Sequence, residues 1–541
     1  MKELIHLDCT LRDGGYYNSW DFEDKLVNDY LNSMDEANID YVELGFRFIE
    51  NKTFFGPYAF TSDSFLESLD IPKNIKIGIM INGADLISKK DNPENLIKHL
   101  IPKSAKDSPV KLVRLACHLK DIPQIIPCTQ YLKDSGYLIG FNVMQASELT
   151  NNDVESLCGL FNEYPVDVVY FADSMGSMYP RDVIRISREF KKNWNGPIGI
   201  HTHDNMGLAM QNTLAAVENG ITWIDSTITG MGRGPGNAKT EEMLIELKES
   251  FNKDLNVIPT FMLLDNHFLP MQKKYLWGKN PYYYLSGKYK IHPTYIQSML
   301  IDDRFQNDDI LSVINYLKDN GGKSFNSSNL DAAKNFFEIS NRQDNQDEWN
   351  PSDFINSREV LIVGTGPGSA KYSKAIESYI QNKKPCVIVL NKNKSIASNL
   401  ISARIACNPF RMVADRESYI SSKEPIIMPK SALPDSLKDS FKEKNIYDYT
   451  LQIAPKKYNI SLTGCILPSP LVFHYALSVC ASGNARRILL AGFDGYEPGN
   501  SKNDETAKVI ELFKEKYSGE IISVTPTRHK VKSKSIFNHD I

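Results

Sequence analysis

Short runs rich in valine, isoleucine and leucine recur through the first 230 residues, separated by stretches long enough to form helices. The apolar or alternating segments are Leu4–Leu11, Tyr41–Phe46, Lys76–Ile81, Lys111–Cys117, Leu138–Met144, Val168–Ser174, Ile198–His203 and Trp223–Gly230. Between them lie stretches such as Phe22–Ala37 and Tyr179–Lys192. Strands buried on both faces take this β-branched composition, and parallel neighbours need a helical crossover, which is right-handed. Eight such units predict an α/β chain whose residues 1–260 close into a (β/α)8 TIM barrel. A doubly wound open sheet is the rival arrangement.

Polar residues favour the barrel. Arg12 and Asp13, Glu43, Arg114, Asn142, Asp173 and Ser174, His201 and His203, and Asn237 all fall in or just after strand segments. A barrel gathers those ends on one face, whereas an open sheet does not bring its first and seventh strands together so simply.

At 541 residues the chain exceeds one ordinary core, so two or three domains are expected. Residues 261–340 read as helical and dense in aromatics, an extension packing on the barrel, with a lid or site wall as the functional alternative. Residues 341–357 open on a polar stretch and read as a linker. Residues 358–541 read as a Rossmann-like α/β domain. There the strand Val360-Leu361-Ile362-Val363 runs into Gly364-Thr365-Gly366-Pro367-Gly368 and a helical stretch, and a second strand ends at Asn391. The basic tail Arg528–Lys534 reads as a solvated charge run.

A formal net charge of −4 gives no general pull toward nucleic acid or anionic membrane. No apolar run approaches the ~20 residues that span a bilayer, and the start lacks the apolar core of a signal peptide. Eight scattered cysteines without a CxxC pair suit reduced, buried thiols in a cytoplasmic protein. A homo-oligomer is expected.

The chemistry gathers on two stretches, Leu7–Gly15 and His201-Thr202-His203-Asp204-Asn205. Residues two apart on a strand face one side, so His201 and His203 aim at one point. With the Asp13 carboxylate and the Asn237 amide oxygen they form a mixed N/O set with open positions. That set suits Mn²⁺ or Mg²⁺, with Co²⁺ as a further fit. A 2-oxo acid chelates through its carboxylate and keto oxygen. The cation polarises the carbonyl, Arg12 meets the charge on an enolate oxygen, and Ser174 hydrogen-bonds the carboxylate.

Thr10-Leu11-Arg12-Asp13-Gly14, His201-Thr202-His203-Asp204, and Gly230-x-Gly232 with Gly236-Asn237 carry a resemblance. Residues 1–300 resemble the metal-dependent pyruvate aldolase and lyase superfamily, which includes 4-hydroxy-2-oxovalerate aldolase, hydroxymethylglutaryl-CoA lyase and isopropylmalate synthase. The resemblance implies that Asp13, His201, His203 and Asn237 hold the metal and that Arg12 stabilises the enolate. It also implies that Ser174 contacts pyruvate and that Glu43 orients Arg12 or a ligand. The aldolases' histidine three residues after the aspartate, their base, is Tyr16 here. Tyr16, a bound water or His118 then takes the proton transfer. The lyases' loop cysteine is missing, since Arg233, Gly234 and Pro235 fill that loop.

The implied reaction is cleavage or formation of a 4-hydroxy-2-oxo acid through a pyruvate enolate, with a 2-oxo acid and an aldehyde as partners. A Claisen-type acyl-CoA:2-oxo acid acyltransferase and a non-catalytic barrel scaffold are the alternatives. Residues 358–500 weakly resemble bacterial sialyltransferase-like domains. The resemblance rests on the Gly364–Gly368 turn and on Gly492-Phe493-Asp494. It implies a nucleotide or nucleotide-sugar held near Gly364, Gly366, Gly368 and Asn391, and a place in building a surface sugar.

Overall fold

The computed structural model describes residues 4–49, 54–87, 92–302, 305, 307–320, 349–433, 435–454, 457–497 and 500–538. Its contacts divide into two units. One runs to Ile301, and the other takes Asp302–Asn320 together with the chain from residue 349 onward.

The first unit is a closed barrel of eight parallel strands in sequence order. They are β1 (Ile5–Asp8), β2 (Tyr41–Phe46), β3 (Lys76–Asn82), β4 (Val110–Cys117), β5 (Leu138–Val143), β6 (Val168–Asp173), β7 (Ile198–Thr202) and β8 (Trp223–Ser226), and β8 pairs with β1. The first strand is shorter than its apolar run suggests. Oδ1 of Asp8 accepts both the N–H and the hydroxyl of Thr10 (2.9 and 2.6 Å), which turns the chain at once into the helix Thr10–Asn18. Arg12 and Asp13 therefore stand in the first turn of a helix. Gly14 and Gly15 in that helix allow close packing, because a Cβ on Gly14 would meet Sδ of Met231 at 2.5 Å and one on Gly15 would meet the Trp20 ring.

The barrel interior is layered by alternate strands. Tyr41, Leu112, Val168 and Trp223 of the even strands form a lower layer joined by Leu7. Two residues further along the same strands stand Glu43, Arg114, Tyr170 and Asp225, all at 0–1% exposure. The odd strands make room for these bulky side chains with glycine. A Cβ on Gly140 would lie 2.8 Å from Cγ of Arg114, and one on Gly199 would lie 2.3 Å from the Tyr170 ring.

The second unit centres on an all-parallel sheet in the order β13-β12-β11-β10-β9-β17-β18-β19. Its inner strands are β9 (Glu359–Val363), β10 (Cys386–Leu390), β11 (Ala403–Ile405), β12 (Ile426–Met428), β17 (Arg487–Ala491) and β18 (Glu520–Ser523), with β13 (Ile446–Asp448) and β19 (Lys532–Ser533) at the edges. A small sheet of β14 (Thr450–Ile453), β16 (Gly464–Leu467) and β15 (Asn459–Ile460) accompanies it. The first strand, β9, lies between β10 and β17, so the strand order reverses beside it, and apolar clusters cover both faces. This is the doubly wound arrangement expected for residues 358–541.

One expectation needs correction. The helix Asn307–Asn320, read as part of the 261–340 extension, groups with the second unit. Its Asp309 pairs with Lys392 (3.3 Å) and Arg411 (2.7 Å), so a buried carboxylate ties it there. The basic tail keeps Arg528, Lys530 and Lys532 exposed, as a solvated run does, and also supplies the edge strand β19 (Lys532–Ser533), which pairs with β18, while Lys532 pairs with Glu520. The polar stretch at the start of the 341–357 linker lies outside the described residues. No helix among the described residues is long and apolar enough to cross a membrane. All eight cysteines are buried and unpaired.

Candidate active site at the barrel mouth

The carboxyl ends of β1, β7 and β8 bring four of the expected residues together. Nε2 of His201 lies 3.5 Å from Oδ2 of Asp13, and the same oxygen accepts Nδ2 of Asn237 at 2.8 Å. The rings of His201 and His203 meet edge to face with centroids 5.0 Å apart. An isolated bridge joins His203 to Asn237, which draws the loop after β8 onto the end of β7. That loop needs its glycines. Gly236 has φ 80°, and a Cβ there would strike the Gly230 carbonyl oxygen at 2.1 Å.

Each histidine is turned by a partner behind it. Nδ1 of His201 bonds Oδ2 of Asp225 (2.9 Å), and Nδ1 of His203 bonds the carbonyl of Asp173 (2.9 Å). With Nδ1 protonated toward these acceptors, both Nε2 lone pairs are left for a cation, the usual arrangement behind ligating imidazoles. Burial, reinforced by His201, pushes His203 down to about 3, so it is neutral at pH 7. Burial works most strongly against the Asp13 carboxylate, but Arg12, His201, His203 and Arg233 together outweigh it and hold the group below its ordinary value. Oδ1 of Asn237 is buried and has no hydrogen-bond partner. A buried amide oxygen without a donor fits a site built for a cation.

Cys9, His201 and Asp225 also hold donor atoms within 4.8 Å of one another. Burial pushes the Cys9 thiol well up, so it stays protonated, and Oδ2 of Asp225 is already taken by Arg114 and His201. The Nε2 side, facing Asp13, is the better cation position.

Arg12 belongs to a closed circuit of buried charge. It pairs with Asp13, and its Nε donates to Oε2 of Glu43 at 2.8 Å. Glu43 also accepts Nε and Nη2 of Arg114 (2.7 and 2.6 Å), and Nη1 of Arg114 donates to Asp225 (2.7 Å). Asp225 bonds His201, and His201 faces Asp13, which closes the ring. The Arg114 guanidinium lies 4.7 Å from the centroid of Tyr170. Neither Arg114 nor Asp225 was singled out from the sequence for this role.

The remaining expected residues stand around this centre. Oγ of Ser174 accepts the backbone N–H of Gln145 (3.0 Å), which leaves its own proton to donate. Tyr16 lies under the Arg233 guanidinium (4.6 Å to the ring) and edge-on to Trp20. Burial raises the Tyr16 phenol, so it holds its proton and serves poorly as the base expected of it. Asp173 is pushed up to about 6 by burial although it accepts the N–H groups of Ser177 and Met178.

The aromatic extension contributes to this region. Its Tyr275 stacks on Tyr17 of the helix Thr10–Asn18, and Tyr17 clamps the glycine loop, donating to the carbonyl of Gly232 and accepting the N–H of Gly234, both at 3.0 Å. Nδ2 of Asn205 donates to Ser286, and the Gly278 N–H donates to Gly234. His292 is buried, with Nδ1 accepting the Thr294 N–H, and is electrostatically coupled to Arg233, His203 and His118. Burial lowers both His292 and His118, leaving two neutral imidazoles. The His-Pro-Thr run after the aromatic stretch was the only sequence signal for His292.

In the second unit a cleft of about 870 Å³ opens at the carboxyl ends of β9, β10 and β17. Gly366, Asn391, Lys392, Arg411, Asp494 and His529 are among its walls. The glycine turn differs from the expectation of an anion held by its backbone. The Gly368 N–H donates to both oxygens of Asp494 at 3.0 Å, so the chain's own carboxylate occupies that position. A Cβ on Gly366 would fall 2.3 Å from the same carboxylate.

Comparison with known proteins agrees with this geometry. Residues 113–258 match the HMGL-like family model. The chain is 30% identical over 254 residues to a 4-hydroxy-2-oxovalerate aldolase of Pelotomaculum thermopropionicum, covering 46% of this chain and 71% of that one. It is 32% identical over 250 residues to the enzyme of that name from Carboxydothermus hydrogenoformans, with the same coverage. The crystal structure of the N-terminal domain of a candidate aldolase from Bacteroides vulgatus is 34% identical. It covers 56% of this chain and 98% of that domain, with a TM-score of 0.50. With its closed barrel and the residues gathered at the mouth, the chain belongs to the HMGL-like family as a carbon–carbon lyase of the aldolase kind.

Proposed function

We propose that the barrel is a divalent-metal-dependent pyruvate aldolase that cleaves or forms 4-hydroxy-2-oxo acids. The observation that carries this reading is the convergence on Asp13, beside Arg12, of Nε2 of His201 and the side-chain amide of Asn237, whose buried oxygen has no partner. Asp13, His201, His203 and Asn237 would hold the cation, with Mn²⁺ or Mg²⁺ the best fit to N/O donors and Co²⁺ a further one. When bound, the cation supplies Lewis-acid polarisation of the 2-oxo carbonyl. Arg12, fixed by Glu43, presents its guanidinium to the oxygen that gains charge as the C3–C4 bond breaks. Ser174 donates to the carboxylate of the 2-oxo acid. One of the neutral pair His118 and His292 takes the proton of the C4 hydroxyl.

In the second unit the reading is a nucleotide or nucleotide-sugar site in the cleft beside β9, where the strand order reverses. Asn391 and the basic side chains lining the cleft support it, while Asp494 moves the phosphate away from the Gly364–Gly368 turn. Joined to an aldolase, such a site suits the building of a surface sugar.

Incubation with Mn²⁺ and pyruvate in D₂O tests the barrel. Deuterium entering the pyruvate methyl group supports the aldolase. Exchange confined to an added acyl-CoA would replace it with the acyl-transfer reaction. An aldehyde panel read by mass spectrometry then identifies the adducts.

A further inference from the structure

The glycine loop after β8 carries one side chain that the proposed reaction does not use. Arg233 stands between Gly232 and Gly234. A Cβ on Gly232 would lie 2.5 Å from Nδ2 of Asn237, so the backbone of this loop presses against one of the proposed cation ligands. Gly234 has φ 62° and packs on Tyr283 and Pro293. These two contacts fix where Arg233 leaves the loop. Its guanidinium lies 4.6 Å from the ring centroid of Tyr16, one helical turn beyond Arg12 and Asp13. It is electrostatically coupled to Asp13, His203 and His292. Among the described residues no carboxylate pairs with it and no carbonyl accepts from it.

Every other arginine at the mouth has its counter-ion. The circuit of Arg12, Arg114, Asp13, Glu43 and Asp225 carries one negative charge in balance. A divalent cation together with the carboxylate of one 2-oxo acid brings it to neutrality. Arg233 is then a half-buried positive charge left over. A guanidinium partly withdrawn from water without an anion is unfavourable, and its planar fork matches a carboxylate or a phosphate.

Resting on the aldolase reading above, we propose that Arg233 selects aldehydes carrying an anionic group, a carboxylate or a phosphate, as the partner of the 2-oxo acid. In the condensing direction the C3 carbon of the 2-oxo acid loses a proton and bonds to the aldehyde carbon. The aldehyde oxygen takes a proton, and nothing is oxidised or reduced. The anionic tail of the aldehyde meets Arg233 on the Tyr16 side of the mouth, where the guanidinium lies over the tyrosine ring.

The test compares matched aldehydes with pyruvate and Mn²⁺: succinic semialdehyde against butanal, and glyceraldehyde 3-phosphate against glyceraldehyde. The expected result is a kcat/KM about 10–100-fold higher for the anionic member of at least one pair, the range for a hydrogen-bonded charged contact. Arg233→Met should collapse that ratio to near one through loss on the anionic member, and Arg233→Lys should restore part of it. Equal rates for both members of both pairs would overturn the inference. So would an Arg233→Met variant whose deuterium exchange into pyruvate, with no aldehyde present, falls as far as its condensation rate, since Arg233 would then serve the 2-oxo acid. A wild-type protein that exchanges no deuterium and condenses no aldehyde would overturn the aldolase reading, and this inference with it.

Discussion

Replacing Asp225 with asparagine tests the proposed cation site from behind. Oδ2 of Asp225 receives two donors, Nδ1 of His201 at 2.9 Å and Nη1 of Arg114 at 2.7 Å. Asparagine keeps the shape and one acceptor oxygen but removes the charge. Arg114 and His201 then compete for one neutral oxygen. Wherever the amide nitrogen faces the imidazole instead, Nδ1 must accept, the proton moves to Nε2, and the lone pair aimed toward Asp13 is lost. Loss of a carboxylate behind a ligating histidine weakens metal binding by about 10–100-fold, or ~1.4–2.7 kcal/mol. Calorimetric titration of Mn²⁺ into metal-stripped protein measures this directly, with circular dichroism checking the fold of the variant. A dissociation constant within about threefold of wild type would refute the reasoning. Asp225→Ala should go further and lower the denaturant midpoint of the barrel. Removing one partner of a buried ion pair costs about 3–5 kcal/mol, and Arg114 is fully buried.

Arg12→Met should retain Mn²⁺ yet lose about 10²–10³ in pyruvate deuterium exchange, read by NMR; exchange at the wild-type rate would remove Arg12 from the enolate role. Burial pushes Glu241 up to about 7, above its ordinary carboxylate value. Its folded-state pKa is thus raised, so its contribution is fully present near pH 4.5 and lost as pH rises through 7, up to roughly 3 kcal/mol. Urea midpoints of the barrel should fall between pH 5 and 8, and Glu241→Gln should flatten that slope; an unchanged slope counts against it. Asp494→Asn should raise the affinity for UDP about tenfold, because a like charge no longer faces the phosphates, and weaker binding by calorimetry would show that Asp494 assists the ligand instead.

The barrel was legible because parallel strands buried on both faces must be β-branched, and that composition repeats eight times. The proposed cation ligands were legible because they lie at strand ends or just beyond. The circuit behind them was not. Asp225 sits in a four-residue strand, Trp223-Ile224-Asp225-Ser226, where one acid among apolar neighbours gives no direction. Arg114 reads as a polar strand residue, but only the closed barrel shows that it faces Glu43 and Asp225 across the interior. The sequence does not place the helix Asn307–Asn320 in its unit, because an amphipathic helix does not name the surface its apolar face will meet. Asp494 is 126 residues from the Gly368 amide it occupies, and no local pattern links them. Arg233 and His292 were hidden differently: each faces the mouth from a segment whose apparent task is turning or packing.

The glycines opposite Arg114 and Tyr170 bear on how this barrel can change. A Cβ at position 140 or 199 has no place while those side chains stand. Substituting leucine at 114 would strand two acids and open a hollow above a bare backbone, so the swap fails unless Gly140 gains a side chain in the same step. Such joint requirements tie the interior charges to the strand opposite, and a line of descent could discard the ionic girdle only by rewriting several strands together.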